Sequence, residues 1–178
     1  MKRILATTVA LAFLSTPVFA QAETAEAGAS AMMLDVDGNN VGTVTFRQTV
    51  SGILHIFVEM TDLPPGPRGF HIHEVGECDA ADGFESAGGH FAVGDEEHGI
   101  HNEAGPHAGD LPNVHVGQDG ILRVEFFTER MNLDEGSEAG LLGGDGTAVI
   151  LHDSPDDYAT HPTGDAGDRI ACGVIEPV

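Results

Sequence analysis

Ala31-Met-Met-Leu-Asp-Val36, Asp37-Gly-Asn-Asn40 and Val41-Gly-Thr-Val-Thr-Phe-Arg-Gln-Thr-Val50 are two β-type runs on either side of a turn signal. Asp, Gly and Asn accept the left-handed backbone of a tight hairpin, and Val, Thr and Phe suit a pleated chain. The pattern continues outward. Gly52 precedes a run at 53–60, Pro64-Pro-Gly-Pro67 is a firm break, and 69–75 reads as the next strand. A short run at 114–116, a turn at 117–120 and a run at 121–128 make a further hairpin, and 147–152 and 170–175 finish the series. After residue 20 no window shows a 3.6-residue apolar period. The expected class is therefore all-β, an antiparallel sandwich or barrel of about eight strands. Two long loops, 76–112 and 153–168, interrupt it, and structureless loops of that length are uncommon unless functional.

The first 20 residues read as a secretory signal: Lys2 and Arg3, an apolar stretch over 4–14 too short to span a bilayer, and Val18-Phe-Ala20 as a small-residue cleavage site. Residues 21–28 lack an apolar pattern and read as a flexible leader, and 29–178 as one domain with room for a sizeable core. A soluble, exported protein follows, in a bacterial periplasm. The full chain carries 7 basic and 29 acidic residues, a net charge of −22. Cleavage near Ala20 removes Lys2 and Arg3 and leaves no lysine, only Arg47, Arg68, Arg123, Arg130 and Arg169. Such a surface excludes nucleic acid and anionic membrane as partners. It suits a salty medium or an ordinary acidic exported protein, and both remain open. Cys78 and Cys172 are expected to pair in an oxidising compartment, with a stabilisation on the order of 4 kcal/mol as an upper value.

Ten histidines stand in 178 residues. His71 and His73 lie two apart on an expected strand, so both side chains take one face, about 7 Å apart. His152 ends another apolar strand and offers a third imidazole; imidazole-rich sets suit copper and zinc. In the long loop His90, His98, His107 and Asp110 follow one another with 7, 8 and 2 residues between them. Two imidazoles and a carboxylate need one more ligand for tetrahedral zinc. His90 can be that ligand, and its second ring nitrogen can serve the first cluster as well. His101 lies between His98 and His107 and competes with them on spacing alone.

Four blocks, Gly69-Phe-His-Ile-His-Glu74, Ser86-Ala-Gly-Gly-His-Phe91, Pro106-His-Ala-Gly-Asp-Leu-Pro-Asn113 and Gly167-Asp-Arg-Ile-Ala-Cys-Gly-Val174, resemble those of copper–zinc superoxide dismutase, of the bacterial exported type. The resemblance spans 69–175 and implies an eight-stranded Greek-key sandwich or barrel. It implies one copper per chain at His71, His73, His90 and His152, and one zinc at His90, His98, His107 and Asp110, with His90 bridging and His101 a bystander. Asp156 matches a carboxylate that links His71 to His98, with Asp157 its rival for the role. Arg169 matches the arginine that guides and docks superoxide, and Cys78–Cys172 matches the family disulfide. The implied activity turns superoxide into oxygen and hydrogen peroxide by alternate reduction and reoxidation of the copper, with His90 carrying a proton. A periplasmic copper- and zinc-binding protein without turnover is the alternative reading; it has no use for Arg169 or a bridge. A homodimer is among the assemblies the resemblance allows.

The chain also departs from the family pattern. Eukaryotic members usually carry a lysine just before the Thr-Gly that precedes the arginine block; here Pro162 stands there, after His161. The loop from His152 to Arg169 also looks shorter. With so acidic a chain, weak or reversed steering of an anionic substrate is expected, and a rate that changes little or rises with salt. His161 is expected to add positive charge only in acid.

Overall fold

The computed structural model describes residues 28–178. The expected signal lies outside the described residues, and of the expected leader only Gly28 is described. Gly28 opens the first strand. The strands are β1 (Gly28–Asp35), β2 (Asn40–Gln48), β3 (Leu54–Met60), β4 (Gly66–Arg68), β5 (Phe70–His73), β6 (Val114–Val116), β7 (Leu122–Thr128), β8 (Ala148–His152), β9 (Arg169–Val174) and β10 (Glu176–Pro177). All pair antiparallel. The main sheet runs β5-β8-β9-β1-β2-β3-β7, with β10 added to β1, while β4 and β6 form a separate pair. The sheet curls so that one face of each long strand meets a single core. Val44, Phe46, Ile56 and Val58 are fully buried there, with Phe70, Ile72, Val149 and Leu151.

Two short strands exceed the expectation. β10 is an edge pair of two residues. β4 overlaps the expected Pro64–Pro67 break: Pro67 stands opposite His115 in the β4–β6 pair. Proline lacks an N–H but is tolerated on an edge strand, so a turn signal and a strand overlap. The long loop also holds two single-turn 3₁₀ helices, Ala80–Asp82 and Glu85–Ala87.

β5 and β8 are buried on both faces. Their pairing sets His71 opposite Ile150 and His73 opposite Ala148, and opposed residues share a face. Phe70, Ile72, Val149 and Leu151 therefore face the barrel core, and His71, His73, Ala148, Ile150 and His152 face outward. On that outer face a second small apolar cluster of Phe84, Ala87, Ala148, Ile150 and Cys172 anchors the loop, with Cys78 and Ala80 packed against it. The Cys78–Cys172 disulfide closes this contact across 94 residues of sequence, with Cα atoms 5.8 Å apart. Among the described residues no helix is long and apolar enough to cross a membrane.

Candidate metal centre

The site lies outside the barrel, between β5–β8 and the two loops. Three features of the backbone build it. First, the free edge of β5 pairs with the long loop: Phe91 N–H donates to Ile72 O at 2.8 Å and Ile72 N–H to Gly109 O at 3.0 Å. Isolated bridges set His73 beside His90 and His71 beside Asp110. Gly109 must be glycine for this, because a Cβ there would lie 2.3 Å from Ile72 O. Second, β8 and β9 slip by one residue after Leu151, so that Arg169, not Ile170, stands opposite His152. A bulge of this kind re-aims a side chain, and here it brings Arg169 to the face that carries the histidines. Third, the disulfide-bound loop delivers two carbonyls to Arg169: Nη1 donates to Phe84 O at 2.6 Å and Nη2 to Gly88 O at 2.9 Å.

Two groups of ligand-type side chains result. His71, His73, His90 and His152 form one; His90, His98, His107 and Asp110 form the other; within each, the ligand atoms lie within 4.8 Å of one another. All six histidines are buried.

In the first group each ring has one nitrogen fixed and one free. His71 Nε2 donates to Asp156 Oδ2 at 2.9 Å, His73 Nδ1 to Gly88 O at 3.0 Å, and His152 Nδ1 to Gly167 O at 3.2 Å. These bonds set the tautomers. They leave His71 Nδ1, His73 Nε2 and His152 Nε2, together with His90 Nε2, buried and without a hydrogen-bond partner. Buried polar atoms are rarely orphaned. Four lone pairs converging on one point fit a metal ion, and an all-imidazole set suits copper.

The second group is knit differently. His90 Nδ1 lies 2.8 Å from Asp110 Oδ1, His98 Nδ1 3.1 Å from it and His107 Nδ1 3.2 Å from it. His98 Nδ1 and His90 Nδ1 are 3.2 Å apart. A tetrahedral ion with bonds of about 2.0 Å sets its ligands about 3.3 Å apart, so this cage fits zinc within a few tenths of an ångström. Asp110 Oδ2 accepts from the backbone N–H groups of Gly99 and His107, both at 3.0 Å, which turns Oδ1 to the centre.

Asp156 joins the groups: Oδ2 accepts from His71 Nε2 and Oδ1 from His98 Nε2, both at 2.9 Å. Asp157 instead caps its own turn, accepting from Ala159 N at 2.9 Å and Thr160 N at 2.8 Å. Gly164 covers the Asp156–His98 contact so tightly that a Cβ would lie 2.1 Å from Asp156 Oδ1. His101 is exposed and set edge-on to Tyr158, outside both groups. His161 Nδ1 accepts from His98 N at 3.0 Å, over the second group.

Charge follows the same division. Burial pushes His90 down to about 4, against the pull of Asp110, and pushes His152 down to about 3. Burial and the neighbouring His90 take His73 well below its ordinary value. Burial opposes charge on His98 too, but the hydrogen bonds it donates to Asp110 and Asp156 outweigh it and raise that ring to about 9. Despite burial, hydrogen bonds to His90 and His98 hold Asp110 far below the carboxylate range, and those to His71 and His98 do the same for Asp156. His73, His90 and His152 thus resist positive charge, and His98, between two carboxylates, favours it.

The cavity above the first group, about 600 Å³, is walled by His73, His90, His152 and Arg169. Ligand type, spacing and the family resemblance together reach every member of the two groups but not the partners Phe84, Gly88, Gly109 and Gly164. Phe84 and Gly88 act through backbone carbonyls, and all four act through backbone position.

A family model described as copper/zinc superoxide dismutase matches residues 40–175. Superoxide dismutase (Cu-Zn) 1 of Aquifex aeolicus is 45% identical over 140 residues, 78% of this chain and 82% of that protein. A superoxide dismutase-like protein of Bacillus subtilis is 41% identical over 154 residues, 86% of this chain and 78% of its own length. The crystal structure of a SOD-like protein from the same species superposes with a TM-score of 0.77 at 41% identity, covering 82% of this chain and 96% of that one. It has the same curled antiparallel sheet.

Proposed function

Because the chain belongs to the copper/zinc superoxide dismutase family, we propose that His71, His73, His90 and His152 hold its copper, and that His90, His98, His107 and Asp110 hold its zinc. The protein is an oxidoreductase that acts on superoxide, with one copper and one zinc per chain. The chemistry that copper supplies when bound is one-electron exchange, by which two superoxide ions and two protons become one oxygen and one hydrogen peroxide.

The chain's own residues divide the remaining work. His90 presents Nε2 to the cavity and keeps Nδ1 in the second cluster. A proton on Nε2 can therefore pass to a reduced substrate while Nδ1 keeps the ring in place. Arg169 is a permanent cation with its fork fixed by two carbonyls, which suits it to hold a small anion beside the imidazoles. The zinc cage has four ligands and no open position, the arrangement of a structural site. Asp156 orients one ring of each cluster, and such contacts raise ligand basicity.

The single observation that carries the reading is the set of four orphaned imidazole nitrogens, three of them on histidines that line one cavity with Arg169. Metal storage without turnover is not favoured, since it gives Arg169 nothing to do there. Export to a periplasm, with a signal cleaved near Ala20, is supported by the basic start Lys2-Arg3 and by the disulfide. The acidic surface supports the exclusion of nucleic acid and anionic membrane as partners. All ligands come from one chain, so monomer and homodimer both accommodate the site.

The test is superoxide dismutation by the mature protein, with metal content determined on the same sample. Rapid dismutation with one copper and one zinc per chain is expected. Full loading without dismutation would transfer the case to the metal-binding reading.

A further inference from the structure

The wall of the copper-side cavity holds more negative charge than positive. Beside Arg169 it carries Asp82, Glu85 and Asp168. Glu85 differs from the other two because it is paired: its Oε2 lies 3.4 Å from Arg169 Nη2. The partners are unequal in exposure, 12% for the Arg169 side chain and 73% for that of Glu85. Arg169 is thus pinned from behind by Phe84 O and Gly88 O, while Glu85 reaches it from the solvent side. Phe84 sits in the left-handed region at φ 64°, directly before the 3₁₀ turn that starts at Glu85, so the same turn of chain aims both the Phe84 carbonyl and the Glu85 carboxylate at one guanidinium.

We propose that Glu85 is an internal competitor for the anion position of Arg169, and that its carboxylate, not the arginine alone, sets how readily superoxide enters. This rests on the dismutase reading above and adds a rate-setting residue to it. Superoxide and a carboxylate make the same demand, a negative oxygen beside the guanidinium. While Glu85 is seated, the guanidinium charge is offset where the substrate approaches. An incoming anion must displace it, and the exposed side chain can swing into water. Asp82 and Asp168 deepen the repulsion without touching the arginine in this way. The whole chain reinforces it, with 29 acidic residues against 7 basic. Attraction at long range is therefore missing, and added salt should help the substrate by screening the repulsion.

The experiment compares copper- and zinc-loaded wild type, Glu85→Gln and Glu129→Gln. Glu129 is exposed just beyond β7 and is not part of the cavity wall, so its variant carries the same change of net charge. Two quantities are followed: the second-order rate with superoxide as a function of ionic strength, and the affinity for azide, a monovalent anion probe, read from the copper absorption. Glu85→Gln should raise both about two- to threefold at low ionic strength, the effect of one charge several ångström from the approach path in water. The difference should shrink as salt rises, and Glu129→Gln should track wild type. Equal behaviour of the two variants, or weaker azide binding in Glu85→Gln at equal copper content, would overturn the proposal. A wild type that holds both metals but dismutates nothing would overturn the functional reading instead, and the azide comparison would still decide the role of Glu85.

Discussion

The two halves of the metal centre share His90 but are built from different materials. The half proposed for copper rests on strands: His71 and His73 on β5 and His152 at the end of β8, with only His90 from a loop. Its free nitrogens point at one another across a gap and have no partner. The half proposed for zinc comes wholly from the loop 76–112, and its ligand atoms already touch through Asp110 Oδ1. Rigid strands can hold three of the four lone pairs apart without an internal anion. A loop cannot, and needs an internal anion to gather its imidazoles. The strand-built half suits an ion that must meet substrate, and the loop-built half suits one that closes the structure.

The largest effects should come from removing one ligand on each side. His152→Ala should lose copper and keep zinc, with dismutation falling by more than about a hundredfold, beyond the range of an outer contact. Asp110→Ala should lose zinc and leave the loop's histidines without their anion, so its melting temperature should fall further than that of His152→Ala. Metal analysis and thermal melts on the same samples decide it; equal loss of both metals in both variants would erase the division drawn above.

A smaller effect is expected at the contact between the halves. Asp156→Asn keeps the shape but cannot accept from both His71 Nε2 and His98 Nε2. Affinity for each metal should fall by about 10- to 100-fold, while Asp157→Asn should leave both unchanged. Competition with a chelator measures this, and a loss confined to one metal would show that Asp156 serves a single half.

The metal-free protein sharpens the contrast through pH. His90 and His152 have folded values of about 4 and about 3, below the ordinary 6.5. As pH falls from 6.5, the unfolded chain binds protons that the folded chain refuses, and stability drops towards pH 3. His98 runs the other way, raised to about 9: its contribution is complete below 6.5 and is lost as pH climbs through 9. The metal-free form should therefore be most stable near pH 6.5. Urea midpoints taken across the range check this, and a midpoint that rises steadily to pH 9 would contradict the assignment of His98.

The smallest effect belongs to His101→Ala, which should change neither metal content nor dismutation. If it releases zinc, the loop cage has been misread.

How much of this was legible follows from the same contrast. Alternation along β5 places His71 and His73 on one face from sequence alone, and their ring centroids are indeed 6.5 Å apart. The hairpin across Asp37-Gly-Asn-Asn40 also reads directly, although its first strand starts earlier, at Gly28. Plain alternation fails at Arg169, because regular pairing would set Ile170 opposite His152, and the slip that corrects this has no residue signature. The zinc loop has no period to read; only its ligand types and the family resemblance single out His90, His98, His107 and Asp110 over His101. Glu85 is one of 29 acidic residues and carries nothing in sequence to mark it. Its position depends on the turn at Phe84 and on the disulfide that holds that turn to β9.

Asp156 also couples the two clusters mechanically. His90 alone would make a single hinge between the two clusters, free to twist. The carboxylate between His71 and His98 is a second link in parallel, and two links between the same bodies close a loop. A closed loop resists rotation that one pivot permits, much as a door on two hinges swings but does not wobble. The Asp156 link does not run through His90, so it would hold the two clusters in register independently of that ring.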